Sequence, residues 1–372
     1  MALAPLRVVV SIRSRSTFNK LCIRIKQLRQ TRGAMEYILY TRVMESPITF
    51  SELQARLASV QAEGESSAVF GTPYLLVDIK SCQAEVVKKP STGQLAQPGC
   101  PVIALAENDS IVPPEIDLVA GSDVELSLLT EAIKNNPVAA TMLVSLLRHN
   151  EKTSVEDGLF AESLSYSCLQ NGQSFKNWLG KNKLRKSTEE DFSSLVLIER
   201  DEDQLTIVLN RPQKRNAYSA DLRDALYEAL SLANIDESIE KVIVRGAGEN
   251  FSAGGDLTEF GEAQDSAFAH IARMTRNSGM LLNQLKTKTE FYLHGACIGA
   301  GIELPSFSDC VIASKGTFFQ LPEVAMGLIP GAGGTVSILN RIGRIRTAFM
   351  AISNERIDTE TALEWGLIDQ II

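Results

Sequence analysis

The spacing of apolar residues over positions 47–180 predicts a small α/β unit that ends in several helices. In "PITFSELQARLASV" apolar residues recur every three to four positions, and Ser51 is expected to cap a short helix. Helical spacing returns at Asp123, is interrupted at Pro137 and then resumes. Three short apolar runs are the expected strands, at residues 74–79, 100–107 and 115–121.

A different pattern begins at Phe192, where short apolar strands alternate with longer helices. "LVLIER", "QLTIVLN" and "KVIVRGA" are strand candidates, and "SADLRDALYEALSLANI" is a helix that Ser219 should cap, with Asp221 in its first turn. This alternation predicts parallel strands joined by helical crossovers. Residues 261–285 show the apolar spacing of one amphipathic helix.

The change of pattern divides the chain into segments. The polar run "GKNKLRKSTEED" supplies the expected linker at residues 181–191, between an N-terminal α/β domain over 47–180 and a second domain over 192–372. Residues 1–46 form a basic leader, read either as an organelle transit peptide or as a disordered arm or upstream sequence. We expect a cytoplasmic protein, or one of an organelle matrix if the leader is a transit peptide.

Composition argues against several classes of function. The 372 residues are 44% hydrophobic and 22% charged, which is typical of a globular protein, and no apolar run approaches the ~20 residues that span a membrane. Eight Lys or Arg precede the first acidic residue, Glu36, so the remainder is strongly acidic and nucleic acid is not an expected partner. Six cysteines without a CxxC pair and three histidines argue against a metal site or a disulfide framework.

Three glycine-rich stretches are candidates for a binding site: "SAGGDL" at 252–257, "HGACIGAGIEL" at 294–304 and "PGAGGT" at 330–335. None matches a dinucleotide fingerprint or a Walker A loop. Glycine lets the backbone approach a ligand with its N–H groups pointed at it. The second stretch leads into a helix expected to begin at about Ala300, with Pro305 near its first turn, and amides there suit a developing negative charge.

Two glutamates stand in or beside these stretches. Glu303 follows Ala300 by three residues, and Glu323 lies just before the third stretch. Two carboxylates in one pocket can divide acid and base roles if their environments differ. The acidic residues of the N-terminal segment are instead expected to form a solvated face, namely Glu156, Asp157 and Glu162.

Five motifs in sequence order resemble the crotonase, or enoyl-CoA hydratase/isomerase, superfamily over about half the chain, from about Leu195 onward. They are "LNRPQKRNAYS", "FSAGGDL", "HGACIGAGIEL", "LPEVAMGLIPGAGGT" and "ALEWGLIDQII". The resemblance implies an α/β fold with a crotonase-like ββα-repeat core behind a smaller N-terminal α/β domain. It also implies an acyl-CoA thioester as substrate, no separate cofactor, and a homo-oligomer, either a trimer or a dimer of trimers.

The resemblance further implies a role for each matching residue. The amides of Ala253 and Ala300 would hold the thioester oxygen, Glu303 would activate water and Glu323 would exchange the proton at Cα. Further substrate contacts are implied for Asn216, Ala217, Gly254, Asp256, Gly299, Gly331 and Gly333. The favoured interpretation is an enoyl-CoA hydratase, and the alternatives are an enoyl-CoA isomerase, an acyl-CoA thioester hydrolase and a non-catalytic CoA-ester-binding partner.

Some positions depart from the family's pattern. His294 stands where asparagine is common and is expected to be a hydrogen-bonded structural histidine, and Ala300 replaces a glycine. Family members typically continue past "GLIDQII" with helices that cover the active site. We therefore hypothesise that the helical stretch 123–179 supplies that cover here.

Overall fold

The computed structural model describes residues 46–59, 62–80, 97–106, 112–182, 194–262 and 265–372. These ranges all lie in one compact unit, Leu39–Ile372. Residues 1–45 of the predicted leader and residues 183–191 of the predicted linker lie outside the described residues.

The N-terminal segment contains a parallel four-stranded sheet whose strands follow one another in sequence order. Its strands are β1 Ile48–Thr49, β2 Leu75–Asp78, β3 Val102–Leu105 and β4 Leu118–Ala120. The three predicted strands are thus confirmed. The first helix, α1 Phe50–Leu57, begins earlier than predicted, because Thr49 and Glu52 form a capping box and Ser51 is not the cap.

Five further helices belong to the N-terminal segment, α2 to α6, and four of them follow the sheet in the chain. They are α2 Ala62–Glu65, which lies before β2 in the chain, α3 Asp123–Asn135, α4 Pro137–Asn150, α5 Val155–Gln170 and α6 Gln173–Lys181. Ser122 caps α3 through its side chain, and Pro137 occupies the first turn of α4. The predicted interruption at this proline is confirmed, since proline is tolerated in a first turn but not in a helix interior.

The C-terminal segment contains a six-stranded sheet in the order β13-β10-β8-β7-β6-β5 and a three-stranded sheet in the order β12-β11-β9. Its strands are β5 Val196–Asp201, β6 Gln204–Leu209, β7 Lys241–Gly246, β8 Lys288–Leu293, β9 Ala296–Ile298, β10 Cys310–Ala313, β11 Phe318–Gln320, β12 Ile357–Asp358 and β13 Gln370–Ile371. Strands β6 to β8 and β10 are parallel, as predicted. The prediction is wrong for β5 and β6, which pair antiparallel because a two-residue turn joins them directly.

The helices of this segment are α7 Ala220–Ile235, α8 Ser266–Thr275, α9 Ser278–Gln284, α10 Ala300–Glu303, α11 Gly334–Ser353 and α12 Thr359–Trp365. Ser219 caps α7 as predicted. The single helix predicted over 261–285 is instead two, α8 and α9, because Arg276 leaves helical geometry and the Asn277 side chain caps α9. Helix α11 is broken at Gly343, whose φ is 77°.

One hydrophobic core joins the two segments. Leu147 and Phe175 of the N-terminal helices are buried in the same cluster as Phe291 of the large sheet and Ile302 of α10. Helix α11 packs against α3, α4, α5 and β4. Described residues on both sides of the predicted linker therefore contribute to one core.

A buried ionic cluster ties the same segments together. Asp117, which is fully buried, accepts hydrogen bonds from Arg148 of α4 and from Arg344 of α11. Arg344 also donates to the carbonyl oxygens of Pro114 and Ile116. The buried charged groups of this cluster therefore have partners of opposite charge or hydrogen bonds to backbone carbonyl oxygens, which offset the cost of burying them.

Among the residues that the structure describes, none of the helices has the length and hydrophobicity of a membrane-spanning segment.

Candidate active site

The second glycine-rich stretch brings two carboxylates to one point. Gly299 links β9 to α10 with φ 50°, and its N–H donates to the carbonyl of Gln320 on β11 at 2.9 Å. A Cβ on Gly299 would stand 2.6 Å from Oε1 of Glu323 and 3.7 Å from Oε1 of Glu303. Both the left-handed backbone and the close approach require glycine here, and the two predicted catalytic glutamates converge on this position.

Glu303 is held by the third glycine-rich stretch. It is the last residue of α10, is 2% exposed, and its Oε2 accepts hydrogen bonds from the N–H groups of Ala332 at 2.8 Å and Gly334 at 2.9 Å. A Cβ on Gly334 would lie 2.7 Å from Cγ of Glu303. The loop therefore contains glycine because a buried carboxylate packs directly on its backbone.

Glu323 presents a less satisfied carboxyl group. The residue is partly accessible, yet its Oε2 is out of contact with solvent and has no hydrogen-bond partner among the described residues. Burial, followed by the nearby Glu162, raises the pKa of Glu323 to about 8. A carboxyl group with this pKa is largely protonated at neutral pH and can donate a proton.

Burial also raises the pKa of Glu303, and the charges of Glu323 and Glu162 raise it further. The amides of Ala332 and Gly334 oppose this rise, because hydrogen bonds to a carboxylate favour its charged form. Carboxyl groups this close lose their protons as a coupled set. The site therefore holds fewer negative charges at neutral pH than it has carboxyl groups.

A third carboxyl group, Glu162 of α5, lies beside this pair. Sequence reasoning placed it on a solvated face, and that prediction is wrong, since it is 2% exposed. Its Oε1 accepts from the Gly333 N–H at 2.7 Å, and its Oε2 accepts from the N–H and the hydroxyl of Thr335 at 3.0 and 2.6 Å. Burial raises the pKa of Glu162 to about 7, although these bonds lower it.

Helical spacing was the signal that could have found Glu162. It lies three residues after Leu159, seven before Leu169 and four before Tyr166, all of which are buried, so it belongs to the apolar face of α5. Glu156 and Asp157 are exposed, as predicted. Across the described ranges, no group of three or more His, Cys, Asp or Glu side chains has an arrangement that could hold a metal ion.

The structure corrects the predicted role of Ala253. Its N–H donates to the carbonyl of Arg215 at 2.9 Å, so it has no proton left for a thioester oxygen. In the described part of the chain, the N–H groups of Gly255 and Ala300 have no hydrogen-bond acceptor. The Ala300 prediction stays open, and Gly255 replaces Ala253 as the available donor.

The first and second glycine-rich stretches run side by side. The Ile298 N–H donates to the Ser252 carbonyl at 3.0 Å, and a Cβ on Gly254 would stand 2.7 Å from the Ile298 carbonyl oxygen. Gly254 thus makes room for the neighbouring backbone. This contact brings the Gly255 and Ala300 amides into adjacent segments of one site.

Two residues predicted to contact substrate have structural side chains. Asn216 is fully buried, accepts from the Arg211 N–H at 2.8 Å and donates to the carbonyl oxygens of residues 247, 250 and 251. Asp256 pairs with Arg211 at 2.6 Å and caps the turn at Thr258. Arg211 also donates to the Ala217 carbonyl at 3.0 Å. These side chains shape the loop that carries Gly255.

The remaining predicted glycines accommodate side chains. A Cβ on Gly331 would stand 2.4 Å from the Tyr166 ring, and one on Gly333, whose φ is 106°, would stand 2.4 Å from the Phe307 ring. His294 has its Nε2 2.9 Å from the Gly248 carbonyl oxygen, which matches the predicted structural role.

The N-terminal helices form one wall of the site. Phe175 of α6 stacks with Trp178, and both rings contact Phe260, which would lie 3.0 Å from a Cβ on Gly255. On α5, the Tyr166 ring lies 4.4 Å below the guanidinium of Arg273. These contacts support the hypothesis that the stretch 123–179 covers the site.

Comparison with known proteins agrees with the motifs. The sequence profile of the enoyl-CoA hydratase/isomerase family matches residues 199–372. The 2,3-dehydroadipyl-CoA hydratase of Escherichia coli K12 is 32% identical over 178 residues, which are 48% of this chain and 69% of that protein. The trans-2-decenoyl-[acyl-carrier-protein] isomerase of Streptococcus mutans is 29% identical and is matched over 47% of this chain and 68% of its own length.

Among solved structures, the enoyl-CoA hydratase from Thermoplasma volcanium is 31% identical, with a TM-score of 0.46, and covers 48% of this chain and 72% of its own. The motifs, the profile match and the identity to the Escherichia coli hydratase over more than two thirds of that protein lead to one conclusion. The chain belongs to the enoyl-CoA hydratase/isomerase, or crotonase, family.

Proposed function

We propose that the protein is an enoyl-CoA hydratase that adds water across the C2–C3 double bond of a 2-enoyl-CoA thioester. The observation that carries the proposal is the convergence of the Glu303 and Glu323 carboxyl groups on Gly299 in a buried site. Hydration needs both a base for water and an acid for carbon, and two carboxyl groups in different environments supply that pair.

The environments assign the roles. Glu303 receives two backbone N–H donors, which stabilise a negative charge, so it is the base. Oε2 of Glu323 has no hydrogen-bond partner in the described structure, so this carboxyl group is the better suited of the two to hold the proton and act as the acid. Burial raises the pKa of both glutamates, so the roles rest on their hydrogen bonds. Two carboxyl groups this close repel each other when both are ionised, so such a pair keeps one proton between them.

In the reaction, Glu303 takes a proton from water as the water oxygen bonds to C3. The π electrons of the double bond move toward the thioester oxygen, and Glu323 gives its proton to C2. The charge that develops on the thioester oxygen is held by the N–H groups of Gly255 and Ala300, and each such donor is worth ~3–4 kcal/mol in related oxyanion sites. The atoms balance without a cofactor.

The test follows the loss of enoyl-thioester absorbance with crotonyl-CoA and a panel of longer and aromatic 2-enoyl-CoAs. Glu303→Gln and Glu323→Gln should each lower kcat about 100-fold or more while acyl-CoA binding persists. Glu156→Gln, an exposed glutamate outside the site, is the control and should match wild type. Wild-type protein that binds acyl-CoA but hydrates no panel member would rule out hydration.

The second candidate is a 2-enoyl/3-enoyl-CoA isomerase. The contrast between the held Glu303 and the unpartnered Glu323 favours it, because moving a double bond needs one group that takes a proton from one carbon and returns it to another. Incubation with a 3-enoyl-CoA separates the two functions. An isomerase would form the conjugated 2-enoyl product and stop, and would tolerate Glu303→Gln better than Glu323→Gln.

A further inference from the structure

The backbone of residues 332–335 connects two buried carboxyl groups that come from different segments of the chain. The N–H groups of Ala332 and Gly334 donate to Glu303, and those of Gly333 and Thr335 donate to Glu162. Four consecutive amides thus alternate between the two glutamates. Displacing one carboxyl group would displace the backbone that holds the other.

Glu162 lies on α5, outside the residues that the family profile matches. Its carboxylate accepts three hydrogen bonds from this loop, with donor–acceptor distances of 2.7, 3.0 and 2.6 Å. Asn150 of α4 adds a hydrogen bond to the Thr335 carbonyl at 3.1 Å. Residues of the N-terminal helices therefore hydrogen-bond to the same loop whose other amides bind the proposed base, Glu303.

We propose that Glu162 is a positioning residue for the two-glutamate site: by binding the backbone of Gly333 and Thr335, it sets the position of the amides that hold Glu303. This proposal rests on the proposed function. Misplacing a reacting group by about 1 Å can lower a rate about 100-fold. Glu162 does not touch the substrate, but it can affect the rate through the loop whose amides hold Glu303.

Glu162 also acts on the site through its charge. Charged or titratable groups face it from each element packed there: Glu303 on α10, Glu323 after β11, Arg273 on α8 and Tyr166 on its own helix. A negative charge on Glu162 makes ionisation of Glu303 and Glu323 harder. Removing that charge should therefore move the titration of the remaining pair to lower pH.

The first experiment compares Glu162→Gln with Ser154→Ala in the full chain. Ser154 caps α5 and accepts from the Asp157 N–H at 3.1 Å, so its alanine variant weakens the same helix without touching the loop. We expect Glu162→Gln to lower kcat about 10- to 100-fold at little change in KM, and to move the acidic limb of kcat against pH to lower pH. Ser154→Ala should lower the melting temperature and leave kcat and its dependence on pH unchanged.

A second variant, Thr335→Val, keeps the loop amide and removes the hydroxyl, which donates to Glu162 and accepts from the Asn150 side chain. It should reduce kcat less than Glu162→Gln and in the same direction, and it decides the question if Glu162→Gln does not fold. The proposal is overturned if folded Glu162→Gln has a kcat within about twofold of that of Ser154→Ala and an unchanged pH profile.

An infrared measurement separates this proposal from the proposed function. The carbonyl band of protonated glutamate, followed against pH in unliganded protein carrying ¹³C-labelled glutamate, needs no turnover. If wild type hydrates no enoyl-CoA, the proposed function fails and this band decides alone. The midpoint reports the charge of Glu162, and the frequency of the band reports the hydrogen bonds that the remaining carboxyl groups accept. A shifted frequency in Glu162→Gln supports the positioning role, and an unchanged frequency overturns it.

Discussion

Glu323 keeps a carboxyl oxygen away from both solvent and hydrogen-bond partners in the described structure, and this placement should reduce the stability of the fold as pH rises. Its pKa is about 8 in the folded protein against 4.5 ordinarily, so the unfolded chain loses this proton first. The stabilising protonated form is fully present below about pH 4.5. Its contribution is lost as the pH rises from there toward about pH 8.

Glu323→Gln cannot ionise and should therefore be more stable than wild type by an amount that grows between about pH 5 and about pH 8. Urea unfolding of both proteins at the two pH values measures that difference. The exposed Glu156→Gln provides the control and should show no such growth. A Glu323→Gln advantage of the same size at both pH values would contradict the buried, protonated state.

Gly299 offers a second test at the residue scale. Gly299→Ala introduces a methyl group 2.6 Å from Oε1 of Glu323, so we expect hydration to fall about 100-fold or more as the acid is displaced. Gly316→Ala is the matched control. Its φ of 86° also lies in the positive range that favours glycine, but its Cβ would meet nothing within 4 Å, so activity should persist. Equal activity losses would show that backbone strain, and not the clash, is responsible.

Between elements, the contact of α4 and α11 with the N-terminal sheet depends on Asp117. Asp117→Ala removes the carboxylate that Arg148 and Arg344 share, so both buried arginines lose this negative charge. The free energy of unfolding should fall by ~3–5 kcal/mol. Chemical denaturation measures this directly. The control is Asp236→Ala, which removes an exposed partner of Arg200 and should have a far smaller effect.

Replacing the whole cluster separates charge from packing. Asp117→Leu combined with Arg148→Met and Arg344→Met should recover much of the loss, because apolar residues of similar volume often substitute for a buried ion pair. A triple variant as unstable as Asp117→Ala would mean that the arginine contacts to the carbonyl oxygens of the sheet loops carry the stability.

For the molecule as a whole, the shared core predicts that neither segment is sufficient alone. Residues 188–372 expressed separately would expose the surfaces that Phe175, Trp178 and Tyr166 cover, and should aggregate or bind an apolar dye. Co-expression with residues 46–182 should restore a soluble, active complex. Light scattering and the hydration assay provide the measurement, and a soluble, active oligomer of 188–372 alone would contradict this account.

Much of the architecture was determined locally and could therefore be predicted from sequence. The apolar runs that became β2, β3 and β4, the cap at Ser219 and the break at Pro137 depend on a few neighbouring residues. The pairing of Glu303 with Glu323 was also predictable, because both stand in or beside glycine-rich motifs whose order matches the family. Steric and capping preferences act within a few residues along the chain, so they can be recognised in the sequence.

The tertiary structure decided what distant segments do to one another. Ala253 lost its predicted role because its N–H donates to the carbonyl oxygen of Arg215, which lies well before it in the chain. Glu162 entered the site because its helix face meets a loop more than 170 residues away. Arg276 ended a helix that spacing alone predicted to continue. Sequence by itself determined which residues could carry acid/base chemistry; only packing determined which amides are available and which carboxyl groups share one buried site, because burial and hydrogen bonding depend on neighbours in space.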